Sequence, residues 1–435
     1  MNLVASSLLV GRDRPLRQLA RTLDEASAGM GRLVLVSGEP GVGKTSLATV
    51  ALAEAARRGA TTATGVCWDA AGTPALWPWV QMLRALRSAV GPDGWKQAAG
   101  AGREALDRLI DSDSHLAVDA GEFHLFDAVL QLLSALTAAT PVALLVDDLQ
   151  WADAASVKLL EFVQRHAGHL PILVVATYRA DVLAAASHPR RDDVAVLAQK
   201  ALTIVLGGLD NDGIQQLRDR LGVTTTVAEA EHLRRLTGGN PFFVIESAAY
   251  TSPAESLGVQ HAIDHRIDAL GDLERKVLTV ASVVGRAVPD AVLTAVVGAE
   301  ATAALTTITR SGLMQLDGAT HSFVHDLVRD TIRTRLSNNE RRTVHASIVR
   351  AAAINEVAKT LLPAQIAWHA TQAIPEIPAA DAVELLEAAA LDATARLTHE
   401  AAGRQLQEAA ALAGVGDSAR LTLASGHAYL RAGEL

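Results

Sequence analysis

Residues 38–45 combine glycines, a lysine and a threonine at a spacing that suits phosphate binding. They read Gly-Glu-Pro-Gly-Val-Gly-Lys-Thr, which fits the pattern G-x-x-x-x-G-K-T. Glycines let the backbone curl so that its N–H groups point at phosphate oxygens, and a following helix adds its positive end. We expect Lys44 to reach the β- and γ-phosphates and act in catalysis, and the Thr45 hydroxyl to hold Mg²⁺. The residues that this pattern assigns to the nucleotide are Gly38, Glu39, Pro40, Gly41, Val42, Gly43, Lys44, Thr45 and Ser46.

The chain on either side of this loop supports the same interpretation. An apolar run, residues 33–36, precedes the loop, and a run compatible with a helix begins at Ser46. Strand, glycine loop and helix in that order are the context that a phosphate-binding loop needs, whereas a chance glycine-rich turn has no such context. The sequence therefore predicts a nucleoside triphosphate site and leaves open what the nucleotide controls.

A second apolar run, residues 141–146, ends in the two carboxylates Asp147 and Asp148. A continuous apolar run suits a strand buried on both faces of a parallel sheet, and ligands bind at the carboxyl ends of such strands. We expect Asp147 to hold Mg²⁺ and Asp148 to orient or activate the attacking water. The alternative is that both acids cap the next helix, with Asp153 continuing an acidic surface. Because aspartate reaches less far than glutamate, we expect slow hydrolysis.

A third apolar run, residues 171–176, ends in Thr177-Tyr178-Arg179. A cationic residue at this position can sense the γ-phosphate, and the guanidinium of Arg179 would stabilise its charge through forked hydrogen bonds. The alternative is a surface arginine that pairs with Asp181, and the sequence leaves both interpretations open.

Composition and charge restrict the class of protein. The chain has 435 residues, of which 49% are apolar and 20% charged, and its formal net charge is −9. That balance suits a globular protein and argues against a nucleic-acid surface along the whole chain, although one small basic domain is compatible with it. The single cysteine excludes an internal disulfide. With no run long enough for a membrane helix and no signal peptide, we expect a cytoplasmic protein without membrane contact.

Five motifs occur in a characteristic order along the chain. They are Val10-Gly11-Arg12-Asp13, Trp77-Pro78-Trp79-Val80-Gln81, Asp147-Asp148-Leu149-Gln150-Trp151-Ala152-Asp153, Gly238-Gly239-Asn240-Pro241-Phe242-Phe243 and Phe323-Val324-His325-Asp326-Leu327-Val328-Arg329. Together they resemble the STAND signalling ATPases, an AAA-type group with an Orc1-like ATPase module. The most similar subgroup is the bacterial large ATP-binding LuxR-type transcriptional regulators. The resemblance extends from residue 8 to the end of the chain.

The resemblance implies roles for four further residues. Gly11 and Arg12 would line the adenine and ribose side of the site, and Pro241 would pack on the adenine. His325 would contact the β-phosphate of ADP and lock a resting state. Two plainer interpretations stay open, because a proline is common at the start of a helix and the apolar neighbours of His325 also suit a core histidine.

The pattern of the chain predicts an α/β P-loop NTPase domain with a parallel sheet, followed by three smaller regions. We predict the NTPase domain over residues 1–195, a helical lid over 196–255, a winged-helix domain over 256–345 and α-helical TPR-like repeats over 346–435. Since one or two repeats cannot form a complete array, and the last apparent unit is cut short at Leu435, we expect a fragment.

These observations lead to three hypotheses about function. The first is a signalling switch that binds ATP/ADP with Mg²⁺, closed with ADP and open with ATP, self-associating in the ATP state and responding to an inducer or protein on the repeats. It would belong to a LuxR-type regulator and contact DNA only through a domain outside this chain. The second is an Orc-type DNA-binding ATPase. The third is a scaffold that binds nucleotide without hydrolysing it.

Overall fold

The computed structural model of the chain divides into two compact units, which meet in sequence between Val259 and Gln260. It describes residues 9–68, 74–111, 122–184, 188–247, 259–285, 287–317, 320–354, 357 and 360–432. Predicted parts of the lid, residues 248–255, and the last three residues of the chain therefore lie outside the described residues.

The first unit contains a five-stranded parallel sheet with the strand order β2-β3-β4-β1-β5. The predicted parallel sheet of a P-loop NTPase is therefore confirmed. The strands are β1 (Arg32–Gly38), β2 (Thr61–Val66), β3 (Val142–Asp147), β4 (Ile172–Tyr178) and β5 (Leu202–Leu206).

Helices flank this sheet and follow it within the first unit. They are α1 (Asp13–Ser27), α2 (Lys44–Arg57), α3 (Trp77–Ala99), α4 (Arg103–Ile110), α5 (Glu122–Thr137), α6 (Ala154–His166), α7 (Ala180–Ala184), α8 (Arg191–Ala198), α9 (Asn211–Arg220), α10 (Val227–Thr237) and α11 (Pro241–Ser247).

The centre of the sheet is buried on both faces because its strands are almost wholly apolar. All six residues of β3 are buried, as expected for a strand covered by helices above and below. The register aligns Val142 with Ile172 and Arg32 with Leu173. The carboxyl ends of β1, β3 and β4 consequently lie side by side, so residues far apart in sequence meet at one edge.

Strand β5 was not predicted from the sequence, which placed its residues at the start of the helical lid. It pairs in parallel with β1, where Val34 aligns with Leu202 and Gly38 with Leu206. Only Ile204 and Leu206 of its five residues are buried. A short edge strand with two buried positions lacks the apolar run that identifies the central strands, so its place is decided by pairing with β1.

After β5, helices α9, α10 and α11 form a small cluster around their own apolar core. Asp210 caps α9, since its carboxylate accepts from the backbone N–H of Gly213 at 2.8 Å. A capping box between Thr226 and Glu229 begins α10. Among the described residues, the core of this cluster consists of Val10, Leu209, Ile214, Leu217, Ala230, Leu233 and Val244.

The second unit begins with helices and a small antiparallel sheet, ordered β6-β8-β7. In chain order the elements are α12 (Val259–Asp268), α13 (Asp272–Val284), β6 (Ala287–Pro289), α14 (Asp290–Val297), α15 (Ala301–Arg310), β7 (Met314–Asp317), β8 (Thr320–Phe323), α16 (Asp326–Arg335) and α17 (Asn338–Ala352).

The remaining described part of the second unit is helical. Small alanine side chains let successive helices pack closely, and the core around Leu386 and Leu421 consists largely of alanine. Within the described residues no helix is both long enough and apolar enough to cross a membrane. The helices are α18 (Pro363–Gln372), α19 (Ala379–Ala395), α20 (His399–Leu412) and α21 (Val415–Ala432).

Candidate nucleotide-binding site

The predicted phosphate-binding loop connects β1 to α2, and its glycines adopt backbone conformations that other residues rarely reach. Gly41 has a φ of 81°, and Gly43, which caps α2, has a φ of 98°. At Gly38 a Cβ atom would lie 2.5 Å from the carbonyl oxygen of Leu206. The loop therefore needs glycine both for its curvature and for close packing against β5.

Lys44 lies at the start of α2 and is 7% exposed. Its Nζ donates to the carbonyl oxygens of Gly38 at 2.8 Å and Glu39 at 2.9 Å, so the ammonium group lies over the loop. Burial lowers the pKa of Lys44, with a further lowering from Arg179, whereas Asp148 acts in the opposite direction. A partly desolvated cation at this point can stabilise phosphate charge strongly because water screens it little.

Asp147, at the end of β3, and Thr45, in the first turn of α2, meet although 102 positions separate them. The Thr45 hydroxyl donates to Oδ1 of Asp147 at 2.9 Å and lies 3.1 Å from Oδ2. A carboxylate and a hydroxyl side by side are oxygen ligands of the kind that Mg²⁺ prefers. Asp147 is 2% exposed, so the predicted magnesium ligands fit the ion in both chemistry and placement.

Thr177, in β4, is the residue that sequence reasoning missed at this edge. It is fully buried, and its hydroxyl donates to Oδ1 of Asp147 at 2.5 Å. The Thr177 hydroxyl oxygen in turn accepts from the backbone N–H of Asp148 at 3.0 Å. A polar residue that ends an apolar strand is the signal that could have identified it.

Asp148 follows β3 and has a left-handed backbone conformation, with a φ of 60°. Its backbone is held by Thr177, and its Oδ1 accepts from Nε2 of Gln150 at 3.0 Å. A non-glycine residue in this region costs free energy and persists only where its surroundings hold it. The structure thus fixes Asp148 directly after Asp147, which is a predicted magnesium ligand; the action of Asp148 on water stays a prediction.

Arg179 follows β4 immediately, and its backbone N–H donates to Oε1 of Gln150 at 3.0 Å. Its charge lowers the pKa of Lys44, which places the guanidinium close enough to the loop lysine to affect it. Contact between Arg179 and the γ-phosphate stays a prediction.

Asp153 serves the fold next to the site. Its Oδ1 accepts from the backbone N–H of Ser156 and caps α6, and its Oδ2 accepts from the backbone N–H of Leu76 at 3.0 Å. The indole of Trp79 donates to the carbonyl oxygen of Ser156 at 3.1 Å. These bonds join the tryptophan motif to the segment that follows the paired aspartates. Asp153 therefore caps α6, whereas the alternative interpretation gave the capping role to Asp147 and Asp148 and placed Asp153 on an acidic surface.

Arg12 approaches the loop from the N-terminal side. It is buried, and its Nη2 donates to the carbonyl oxygen of Val42 at 3.0 Å. Burial lowers the pKa of Arg12, and Asp210 partly offsets this. The preceding Gly11 has a φ of 63°, and a Cβ atom there would lie 3.0 Å from Leu209. The structure shows Arg12 supporting the loop, while contacts of Gly11 and Arg12 with adenine and ribose stay predictions.

The lid segment contacts the phosphate-binding loop through Asn240, a second residue that sequence reasoning did not single out. Its Nδ2 donates to the carbonyl oxygen of Pro40 at 2.7 Å, and its Oδ1 accepts from the backbone N–H of Phe242 at 3.2 Å. The same Phe242 N–H lies 3.4 Å from the carbonyl oxygen of Gly41. Pro241 is half-buried and begins α11; its adenine contact stays a prediction.

His325 lies in the second unit, between β8 and α16, and is half-buried. It belongs to a different compact unit from the loop and the paired aspartates. Its contact with the β-phosphate therefore stays a prediction.

Comparison with known proteins gives the same assignment for the first part of the chain. The family described as "AAA ATPase domain" matches residues 8–175. An uncharacterized protein of Rhizobium meliloti is 25% identical over 419 residues, and the match covers 85% of this chain and 38% of that protein. The chain therefore spans well under half the length of this relative.

Two solved structures are similar to the chain. One is a STAND protein with a tetratricopeptide repeat sensor from Pyrococcus horikoshii, with a TM-score of 0.52 and 15% identity, covering 94% of this chain and 61% of that one. The other is the ORC2 protein of Aeropyrum pernix, with a TM-score of 0.37, 14% identity and coverage of 75% and 95%. The first likeness shows a shared fold, and the second is too weak to support an argument.

The family match coincides with the loop, the magnesium ligands and the central strands that position them. In this range Lys44 hydrogen-bonds to the loop, and Thr45 hydrogen-bonds to Asp147 at the end of β3. Residues 8–175 are therefore an AAA-type P-loop ATPase domain.

Proposed function

We propose that this chain is a signalling switch that binds ATP or ADP with Mg²⁺ and is reset by slow hydrolysis. The observation that carries the proposal is the hydrogen bond from Asn240 to the carbonyl oxygen of Pro40 at 2.7 Å. Because this bond joins α11 directly to the phosphate-binding loop, a nucleotide that reshapes the loop also acts on the lid. Such a connection suits regulation, which requires that the two nucleotides bind two conformations with different affinities.

The site supports hydrolysis by a direct attack of water. The water oxygen forms a bond to the γ-phosphorus while the bond to the β–γ bridging oxygen breaks, ADP leaves with that electron pair, and Asp148 accepts the proton of the water. Lys44 and Arg179 stabilise the phosphate charge. Mg²⁺, held by Thr45 and Asp147, would supply further charge neutralisation at the β- and γ-phosphates.

For the second unit we propose a winged-helix module over α13 to β8, followed by TPR-like helical repeats. The order helix, strand, helix, helix, strand, strand with an antiparallel sheet supports the first assignment. The printed description of the Pyrococcus horikoshii protein, which names a tetratricopeptide repeat sensor, supports the second. In this scheme His325 clamps ADP, an inducer or protein acts on the repeats, and DNA is contacted only through a LuxR-type domain outside this chain.

Nucleotide affinity of a Lys44→Ala variant tests the site itself. We expect the Kd for ADP and ATP, measured by calorimetry with Mg²⁺, to rise about a hundredfold, since hydrogen bonds to charged groups contribute about 1.5–3 kcal/mol each. Lys200→Ala is the matched control, because Lys200 is exposed and precedes β5. Wild-type affinity in Lys44→Ala would contradict the assignment of the loop.

Comparison of the ADP state with the state bound to a non-hydrolysable ATP analogue tests the switch. We expect stronger protease cleavage and a larger assembly with the analogue, measured by limited proteolysis and light scattering. Identical cleavage and identical mass in both states would rule out a switch. If Asp148→Ala hydrolyses ATP at the wild-type rate, Asp148 has no part in the reaction. Salt-dependent DNA binding by the chain would favour the Orc-type alternative.

A further inference from the structure

Gln150 is buried directly beside the site and makes two hydrogen bonds there with one side chain. It lies in the short turn Leu149–Trp151 after β3 and is 1% exposed. Its Nε2 donates to Oδ1 of Asp148 at 3.0 Å, and its Oε1 accepts from the backbone N–H of Arg179 at 3.0 Å. The side chain therefore bridges the segments that follow β3 and β4.

The orientation of this amide is determined by its partners. A backbone N–H can only donate, so the atom that faces Arg179 must be the oxygen. The NH₂ group consequently faces Asp148, whose carboxylate accepts. Both polar ends of a buried glutamine are thus satisfied, and the side chain has one stable placement.

Asp148 is held from two sides as a result. Thr177 binds its backbone N–H, and Gln150 binds its carboxylate. Asp148 acts on the pKa of Lys44 together with Arg179, Asp147 and Asp181, and on the pKa of Cys67 together with Asp153 and Asp147. Because other charged groups lie near this carboxylate, the hydrogen bond from Gln150 helps to fix its orientation.

We infer that Gln150 is the positioning residue for hydrolysis, because it holds the Asp148 carboxylate and joins it to the carboxyl end of β4 beside Arg179. The inference rests on the proposed function, since it assigns Asp148 the task of accepting the proton of the attacking water. A positioned proton acceptor contributes about 10²–10⁴ in rate. Loss of Gln150 should remove part of this rate enhancement. Nucleotide binding should persist, because the loop and the predicted magnesium ligands are unchanged.

Two variants separate positioning from support of the fold. Gln150→Leu keeps the approximate volume and removes both hydrogen bonds. Gln150→Glu keeps the acceptor for Arg179 but directs a second carboxylate at Asp148. The matched control is Gln164→Leu, which removes a side-chain bond to the carbonyl oxygen of Leu197 within the same unit.

In the full chain with saturating ATP and Mg²⁺, we expect Gln150→Leu to lower kcat by about 10- to 100-fold. Its Kd for ADP should stay within about threefold of wild type, because the groups that bind phosphate are unchanged. It should also lose the tighter binding of ADP with aluminium fluoride, a mimic of the transferring phosphoryl group. Gln150→Glu should also lower kcat, because a second carboxylate facing Asp148 cannot donate the hydrogen bond that holds it.

The outcomes distinguish this inference from the proposed function. A wild-type kcat in Gln150→Leu would overturn this inference and leave the proposed function intact. The same conclusion would follow if kcat fell only as much as the affinity for ADP and the free energy of unfolding fell. A wild-type chain that binds ADP but neither turns over ATP nor favours the aluminium fluoride complex overturns hydrolysis and the inference together. Normal turnover in Gln164→Leu with the expected losses in Gln150→Leu supports positioning.

Discussion

Asn240 donates a hydrogen bond of 2.7 Å to the carbonyl oxygen of Pro40, a residue 200 positions earlier in the chain. One side chain thereby connects the turn before α11 with the backbone of the phosphate-binding loop. The bond is short, and Asn240 itself is buried, so water competes little for either partner. The placement of α11 therefore depends directly on the shape of the loop.

Removal of this bond should uncouple the lid from the nucleotide. In Asn240→Ala we expect the difference in protease cleavage between the nucleotide-free and ADP-bound states to fall by at least half, because ADP then orders the loop without ordering α11. Asn240→Asp retains the acceptor for Phe242 but cannot donate to Pro40, so it should behave like Asn240→Ala. Wild-type cleavage in the Asp variant would show that donation to Pro40 has no part in the coupling.

Substitution of Thr177 should weaken both the fold and the magnesium site. Thr177→Val keeps the shape of the side chain but removes the hydroxyl. Asp147 then loses a hydrogen-bond donor, and the N–H of Asp148 loses its acceptor. We expect the free energy of unfolding to fall by about 1–3 kcal/mol and the Mg²⁺ dependence of ATP binding to shift to higher concentration. Urea titration and calorimetry measure these effects. Thr177→Ser retains the hydroxyl and should stay close to wild type; equal losses in both variants would contradict this explanation.

Gly208 lies in the segment after β5 and allows that segment to approach the turn before α11 closely. A Cβ atom there would lie 2.0 Å from the carbonyl oxygen of Gly238, whereas one at Gly207 would have no heavy atom within 4 Å. We expect Gly208→Ala to lower the free energy of unfolding by about 2–3 kcal/mol, as overpacking does. Gly207→Ala, one residue away, should change it by less than about 0.5 kcal/mol. Denaturant unfolding measures both, and equal effects would mean that the close approach is not rigid.

A buried histidine pair in the second unit should make stability depend on acid. His345 and His369 bring their Nδ1 atoms to 2.7 Å, so only one of these atoms can carry a proton in the hydrogen bond. Burial lowers the pKa of His345 to about 4 and that of His369 to about 3. Arg333 and Arg341 add to the lowering at His345, and His345 adds to that at His369.

Both folded-state pKa values lie below the unfolded value of about 6.5. At pH values between the folded and unfolded pKa, the unfolded chain therefore binds more protons than the folded chain. The stability contribution is complete above about pH 6.5 and is lost as pH falls toward 4, with a slope of about 1.4 kcal/mol per pH unit for each histidine. A double variant, His345→Gln with His369→Gln, should flatten the slope of unfolding free energy against pH. The exposed His427→Gln is the control; an unchanged slope in the double variant would contradict neutral burial.

Sequence reasoning identified the parts of the site that depend on local pattern. The glycine spacing before Lys44 specifies a loop by backbone conformation alone, and a strand that ends in Asp147 follows from an uninterrupted apolar run. Parallel pairing places such strand ends along one edge, which is why Thr45 and Asp147 could be expected to meet.

Three residues of the site escaped this reasoning for a common reason. Thr177, Gln150 and Asn240 are ordinary polar residues whose importance lies in partners from other segments, namely Asp147, Arg179 and Pro40. Strand β5 escaped it as well, since only its pairing with β1 distinguishes it from a loop. Hydrogen bonds between distant segments leave no local periodicity in a sequence.

The sequence by itself therefore specified a glycine loop of the phosphate-binding type at residues 38–45 and the parallel sheet around it, because local backbone preference and apolar runs suffice for both. The tertiary structure alone decided how Thr177 holds Asp148, how Gln150 reaches Arg179 and how the lid contacts the loop, because those bonds join residues that only folding brings within 3.0 Å of each other. Burial at these points makes each bond matter, since an unpaired polar group away from water is costly.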